Sequence, residues 1–168
     1  MKNKITVILV AGIAIIIIGL FWGNGAKNQA ALPVQSQVAL GSTLFALEKE
    51  YDFGIISMKD GKVQTSFVVS NKSENDIRID TVVTSCMCTN AYVVNGEVRR
   101  GPFGMPGHGG VVPKANEIVK AGEEREIEVV FDPAAHGPAG VGVVERSIYL
   151  VDENGGALEL KINAEVTS

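Results

Sequence analysis

An all-β fold, a two-sheet sandwich of about seven strands behind one apolar N-terminal helix, is what this 168-residue sequence predicts. Three observations carry the prediction. Beyond residue 48, short runs alternate apolar and polar residues with a period of two, the geometry of strands with one face in a core. Turn signals separate these runs. No helical spacing of apolar residues appears after residue 48, whereas residues 5–22 form one uncharged apolar stretch.

The N-terminus comes first. "ITVILVAGIAIIIIGLFW", Ile5 to Trp22, reaches roughly the thickness of a bilayer core at ~1.5 Å per residue. Lys2 and Lys4 precede it, and the first acidic residue is Glu48. The positive-inside rule therefore keeps residues 1–4 in the cytoplasm and exports everything after Trp22. Phe21 and Trp22 suit the aromatic belt of the outer interface. A cleaved signal peptide is the rival, with "GNGA" at 23–26 as its cleavage site. The apolar run exceeds the ~7–15 residues of a usual signal core, which favours a transmembrane helix or uncleaved anchor. The expected location is thus the cell membrane, single-pass, with the C-terminal domain outside, in the periplasm or on the cell surface. Residues 23–44 are small and polar and read as a flexible stalk; residues 45–168 form the exported domain. The first 25 residues hold two of the 15 basic residues and none of the 19 acidic ones, leaving 13 against 19 and a net charge of −6 for the rest. No Lys/Arg run exists, so nucleic-acid binding has no electrostatic footprint.

The strands follow in order. "EYDFGII" near 50–56 opens the series. "VQTSFVVS" at 63–70 puts Phe67 and Val69 on one face. "DIRIDTVV" at 76–83 alternates Ile77 and Ile79 with Arg78 and Asp80, and "AYVV" at 91–94 is a short apolar strand. "REIEVVF" at 125–131 sets Ile127, Val129 and Phe131 against Glu126 and Glu128. "RSIYLV" at 146–151 and "LELKINAEV" at 158–166 complete the count, the latter with Leu158, Leu160, Ile162, Ala164 and Val166 in step. "KDGK", "NKSEND", "KAGEE" and "ENGG" mark turns between them. The Gly/Pro-rich stretch 99–116 is excluded as a central strand and reads as a long loop. "NKS" at 71–73, formally a glycosylation sequon, reads as a turn.

Four segments carry a family resemblance: "YDFGIISMKDGKVQTSFVVSN", "TSCMCTNA", "GPFGMPGHGG" and "KAGEEREIEVVFDPAAHGPAGVG". Together, over about residues 48–168, they resemble the bacterial domain-of-unknown-function family 1573 (DUF 1573). The resemblance implies an immunoglobulin-like β-sandwich related to the ASH/MSP/hydin group, an extracytoplasmic address and no established reaction. Many relatives carry a T-S-C-G-C-T turn; here Met87 stands where glycine is usual and adds a thioether.

Cys86 and Cys88 are the only cysteines. On a strand they would share a face, roughly 6–7 Å apart at ~3.3 Å rise per residue. A disulfide prefers Cα atoms ~4.4–6.8 Å apart, so geometry resists a bridge that an exported address favours. A labile disulfide or a pair of thiols is expected. The pair is also a soft metal clip. Both histidines, His108 and His136, lie in Gly/Pro loops, Met105 is close to His108 in sequence, and Met87 separates the cysteines. Thiolate and thioether select Cu(I), while imidazole suits copper and zinc. Zinc would take Cys86, Cys88, His108 and His136 as a closed tetrahedral set. Cys-X-Cys with distant histidines is not a usual zinc spacing, so a plain structural turn with loop histidines stands beside the metal set. A thiol-redox role lacks the helix N-terminus that activates C-x-x-C thiols. Met105 as gap-filler, Phe103 as loop-packing aromatic and His136 as turn cap are the structural alternatives. Asp132, Glu145, Asp152 and Glu153 read as solvated acids, and no G-x-S-x-G or phosphate-loop context exists.

These features predict no enzyme. They predict a membrane-tethered exported module that binds a protein partner, with the loop Phe103, Gly104, Met105, Pro106, Gly107 and His108 as its surface. The alternatives are copper or zinc handling through the cysteines and histidines, and thiol redox partnership.

Overall fold

The computed structural model describes residues 41–107 and 114–168. The expected cytoplasmic N-terminus, membrane helix and most of the stalk lie outside the described residues, as does His108. Among the described residues no helix is long and apolar enough to cross a membrane.

Among the described residues ten strands form, where about seven were expected: β1 Leu44–Ala46, β2 Glu50–Ser57, β3 Val63–Asn71, β4 Ile77–Thr84, β5 Thr89–Asn95, β6 Val98–Phe103, β7 Lys114–Val119, β8 Glu124–Phe131, β9 Gly142–Asp152 and β10 Ala157–Thr167. They make two five-stranded sheets, ordered β1-β3-β8-β5-β6 and β2-β10-β9-β4-β7. Neighbours are antiparallel except for the parallel pair β2–β10. The alternating rows meet in one core. Phe67, Val69, Ile127, Val129 and Phe131 come from the first sheet, and Ile77, Ile79, Ile148, Leu150 and the whole apolar row of β10 from the second. Burying each large aliphatic side chain stabilises by about 1.5–3 kcal/mol, which is why the period-two pattern governs the register.

The extra strands correct the sequence expectation at three places. Residues 99–116 are not one long loop: their ends are β6 and β7, the outermost strands of the two sheets. Pro102 fits β6 because an edge strand leaves one side without a ladder partner. Gly101 is required there: at φ 138° a Cβ would lie 2.7 Å from Tyr92 Cδ1 and 2.9 Å from the Ala91 carbonyl oxygen. The folded unit also takes in residues assigned to the stalk. Gly41 bridges to Ala157, and Leu44 is buried in β1, a strand too short to register as an alternating run.

Two polar side chains serve turns. Asp152 is buried, not solvated as expected. Its carboxylate accepts from Ser42 Oγ (2.7 Å), Asn154 N (2.9 Å) and Gly156 N (3.0 Å). Asn71 is fully buried; its amide donates to the carbonyls of Asn75 and Val119 while its oxygen accepts from Ser73. That is the turn read into "NKS".

Connections that change sheets position the site. The β4–β5 turn carries both cysteines from the second sheet to the first. The β8–β9 connection carries His136 back again. The two are laced together: Asp132 N donates to the Cys88 carbonyl at 2.9 Å.

Candidate functional site: a sulfur–imidazole cluster

Thr84 closes β4 and shapes the cysteine turn. Its hydroxyl lies 3.0 Å from the carbonyl oxygens of both Cys86 and Thr89, and Thr89 N donates to Cys86 O at 3.1 Å. Ser85 pins the turn to β9: its N donates to Ser147 O, and its hydroxyl accepts from Ser147 N, both at 2.9 Å. The cysteines therefore sit on a tight turn and not along a strand. This shortens their Cα separation to 5.3 Å, inside the range a disulfide accepts, and the two sulfurs are placed as a disulfide pair. The expectation that geometry resists a bridge assumed extended backbone, and the turn removes it.

Opposite lies the β8–β9 connection. Asp132 folds it by accepting from Ala134 N at 3.0 Å, Gly137 takes φ 54°, and a short 3-10 turn, Gly137–Gly140, follows. His136 precedes that turn but makes no side-chain cap. Its ring instead reaches the cysteines, with Nε2 3.1 Å from Cys86 Sγ. The ligand atoms of Cys86, Cys88 and His136 all lie within 4.8 Å of one another. Cys88 is buried at 1% exposure, Cys86 is half-buried and His136 is exposed, so the cluster opens to solvent on one side.

Two further side chains complete the site. Arg146, half-buried on β9, donates from Nε to Cys88 Sγ at 3.2 Å and from its NH1 nitrogen to the Glu145 carbonyl at 2.8 Å. A signal for it existed: Arg146 stands in phase with Ile148 and Leu150, so it shares their core-facing row. Met58, between β2 and β3, flanks the histidine turn. The point where a Gly140 Cβ would lie is 3.3 Å from His136 Cβ and 3.5 Å from Met58 Cε. Nothing in its sequence neighbourhood links Met58 to the cysteines.

Of the expected site residues, the structure thus assembles Cys86, Cys88 and His136. Met87 is 67% and Met105 44% exposed. In the expected binding loop, Phe103 is buried at the end of β6 as a packing aromatic. Gly104 O accepts from Thr84 N at 3.3 Å, which brings the start of the loop to the end of the sandwich that holds the cysteines. Pro106 and Gly107 continue from there without regular structure.

The cysteine turn falls within a stretch of known type. Residues 45–104 match the DUF1573 family, described as a protein of unknown function. The resemblance read over about 48–168 is matched as far as residue 104, so His136 and Arg146 lie beyond the DUF1573 match. Among curated proteins none matches the chain. Among solved structures, a protein of unknown function from Porphyromonas gingivalis W83 is similar to 82% of this chain and 51% of its own, at 14% identity and TM-score 0.53. The secreted serine protease VesC from Vibrio cholerae is similar over 79% of this chain and 24% of its own, at 13% identity and TM-score 0.46. The Pseudomonas aeruginosa CupB2 chaperone is similar over 73% and 55%, at 10% identity and TM-score 0.38. The chain spans about half the length of the first of these, and only the first bears on the fold. The chain is thus similar to DUF1573 over residues 45–104, and its cysteine turn meets a histidine and an arginine that lie outside that match.

Proposed function

We propose that this protein is a membrane-tethered, extracytoplasmic binding module without catalysis, and that it holds a soft metal ion between Cys86, Cys88 and His136. One observation carries the site: two sulfurs and an imidazole nitrogen, brought from separate sheet-crossing connections, lie within 4.8 Å of one another. Two thiolates and an imidazole form a donor set suited to copper or zinc. Metal requires the reduced pair. A dithiol reductant opens the disulfide to two thiols and itself closes to a disulfide; the metal then displaces the thiol protons. The apolar run Ile5–Trp22 behind Lys2 and Lys4 supports the tether and the exported address. The strand order, with β10, β9 and β4 adjacent in one sheet and β3 beside β8 in the other, supports an immunoglobulin-like sandwich.

Metal content and free thiols, measured on the reduced full chain after exposure to Cu(I) and Zn(II), test the site. Near-stoichiometric metal is expected in the parent, with loss in Cys86→Ser/Cys88→Ser and weakening in His136→Asn. A reduced parent that takes up neither metal would leave the tethered module without this site.

A second reading has its own observation. His136 against Cys86 and Arg146 against Cys88 each favour the thiolate of their partner, as a thiol–disulfide exchange pair requires. Rapid exchange with a model disulfide that slows in His136→Asn would favour it.

A further inference from the structure

Resting on the metal-holding reading, we infer that the site selects Cu(I) over Zn(II) and that Arg146 sets the preference. The first argument is charge. Two thiolates carry two negative charges, and the guanidinium that donates to Cys88 at 3.2 Å returns one positive charge to the site. Among the described residues no carboxylate lies within ion-pair distance of Arg146. The acid on the β8–β9 connection and the one preceding Arg146 in sequence are otherwise engaged. Asp132 accepts from Ala134 N and pairs with Lys62 at 3.9 Å, and Glu145 pairs with Lys161 at 3.1 Å. A monovalent ion brings the sum of thiolates, guanidinium and metal to zero, whereas a divalent ion leaves a net positive charge beside Cys88. Cys88 is 1% exposed, so water screens the excess weakly at that end of the site.

The second argument is the softness of the donors. The described residues converge three donor atoms. Two of them are thiolate sulfurs, the donors that select Cu(I). Cys86, half-buried next to exposed His136, is the entry side, and Cys88 with Arg146 is the closed end.

The test is a competition on the reduced full chain under anaerobic conditions, with Cu(I) and Zn(II) each buffered by a chromophoric chelator. Parent protein is expected to hold Cu(I) in preference to Zn(II). Arg146→Gln is expected to narrow that preference about 10-fold or more, a usual size for removing a group that hydrogen-bonds a metal ligand. Arg146→Lys, which keeps the charge, should retain most of it. Arg146→Met removes the same charge while keeping an unbranched stem, and it keeps the test decisive if Arg146→Gln fails to fold. Equal affinity for the two ions in the parent, or unchanged selectivity in a folded Arg146→Gln, overturns the inference and leaves the metal site standing. A parent that binds neither ion overturns both.

Discussion

Glu117 on β7 and Arg125 on β8 belong to different sheets, and both are buried, at 6% and 7% exposure. Arg125 Nε donates to Glu117 Oε1 at 2.7 Å, and its NH2 nitrogen donates to Ile118 O at 2.6 Å and to Glu123 at 3.1 Å. Burial pulls the guanidinium down, but hydrogen bonds to Glu117 and Glu123 outweigh it and hold Arg125 above its ordinary value. Removing Glu117 takes away the buried counter-charge and leaves the guanidinium only the partly exposed Glu123 carboxylate. Glu117→Leu should therefore cost about 3–5 kcal/mol, read from the urea midpoint, while Glu117→Leu with Arg125→Met should recover most of the loss. An additive double variant would refute the account. The same residues show what period-two reading can and cannot see. It placed Ile127, Val129 and Phe131 in the core, and Arg125 stands in phase with them. Arg146 shares the row of Ile148 and Leu150 in the same way. A charge in an apolar row signals a buried partner, but its partner comes from another strand, and alternation along one strand cannot name it.

Among the elements, β6 needs side-chain support because it is an edge strand whose register with β5 shifts between Ala91 and Val93. Arg99 supplies it. Its guanidinium lies 3.2 Å from the centroid of the Tyr92 ring on β5 and donates twice to Glu128 on β8, each at 2.8 Å. Three strands are joined on one outer face. The hydrogen bonds from Arg99 hold the Glu128 carboxyl below its ordinary value, against a smaller opposing push from burial. A depressed folded-state value means the stabilisation is complete above the unfolded glutamate value of about 4.3 and is lost as pH falls through the lower folded value. Arg99→Met should therefore be less stable than the parent at neutral pH, with a gap that shrinks below about pH 4. The remainder would be the pH-independent contact with Tyr92. A gap constant from neutral to acid denaturation would exclude the ion pair as its source. This ladder was invisible in sequence. Arg99 fell in a Gly/Pro-rich stretch read as loop, and only its pairing with β5 makes it a strand residue.

For the whole molecule, the question is whether the cysteines hold the fold or merely occupy it. The apolar core is contributed by both sheets, from Leu44 on β1 to Val166 on β10, and Cys88 is a single small member of it. Cys86 and Cys88 stand two positions apart, so a bridge between them closes a very small loop and removes little chain entropy from the unfolded state, about 1–2 kcal/mol in the loop-closure account. The turn they occupy is fixed by Thr84, Ser85 and Asp132 through bonds that use no sulfur. The core was legible in sequence because alternation along a strand is local. The site was legible only as an inventory of soft ligands, because convergence of two connections depends on sheet order, which alternation does not encode. Serine at both positions should thus leave a cooperatively folded chain, with a denaturation midpoint lowered by no more than about 2 kcal/mol, and reduction of the parent should do the same. Far-ultraviolet circular dichroism against urea checks both. Collapse of the transition in either case would make the pair a staple of the fold. A retained transition, together with loss of bound metal in the same serine variant, would assign the cysteines to binding and leave the fold to its two sheets.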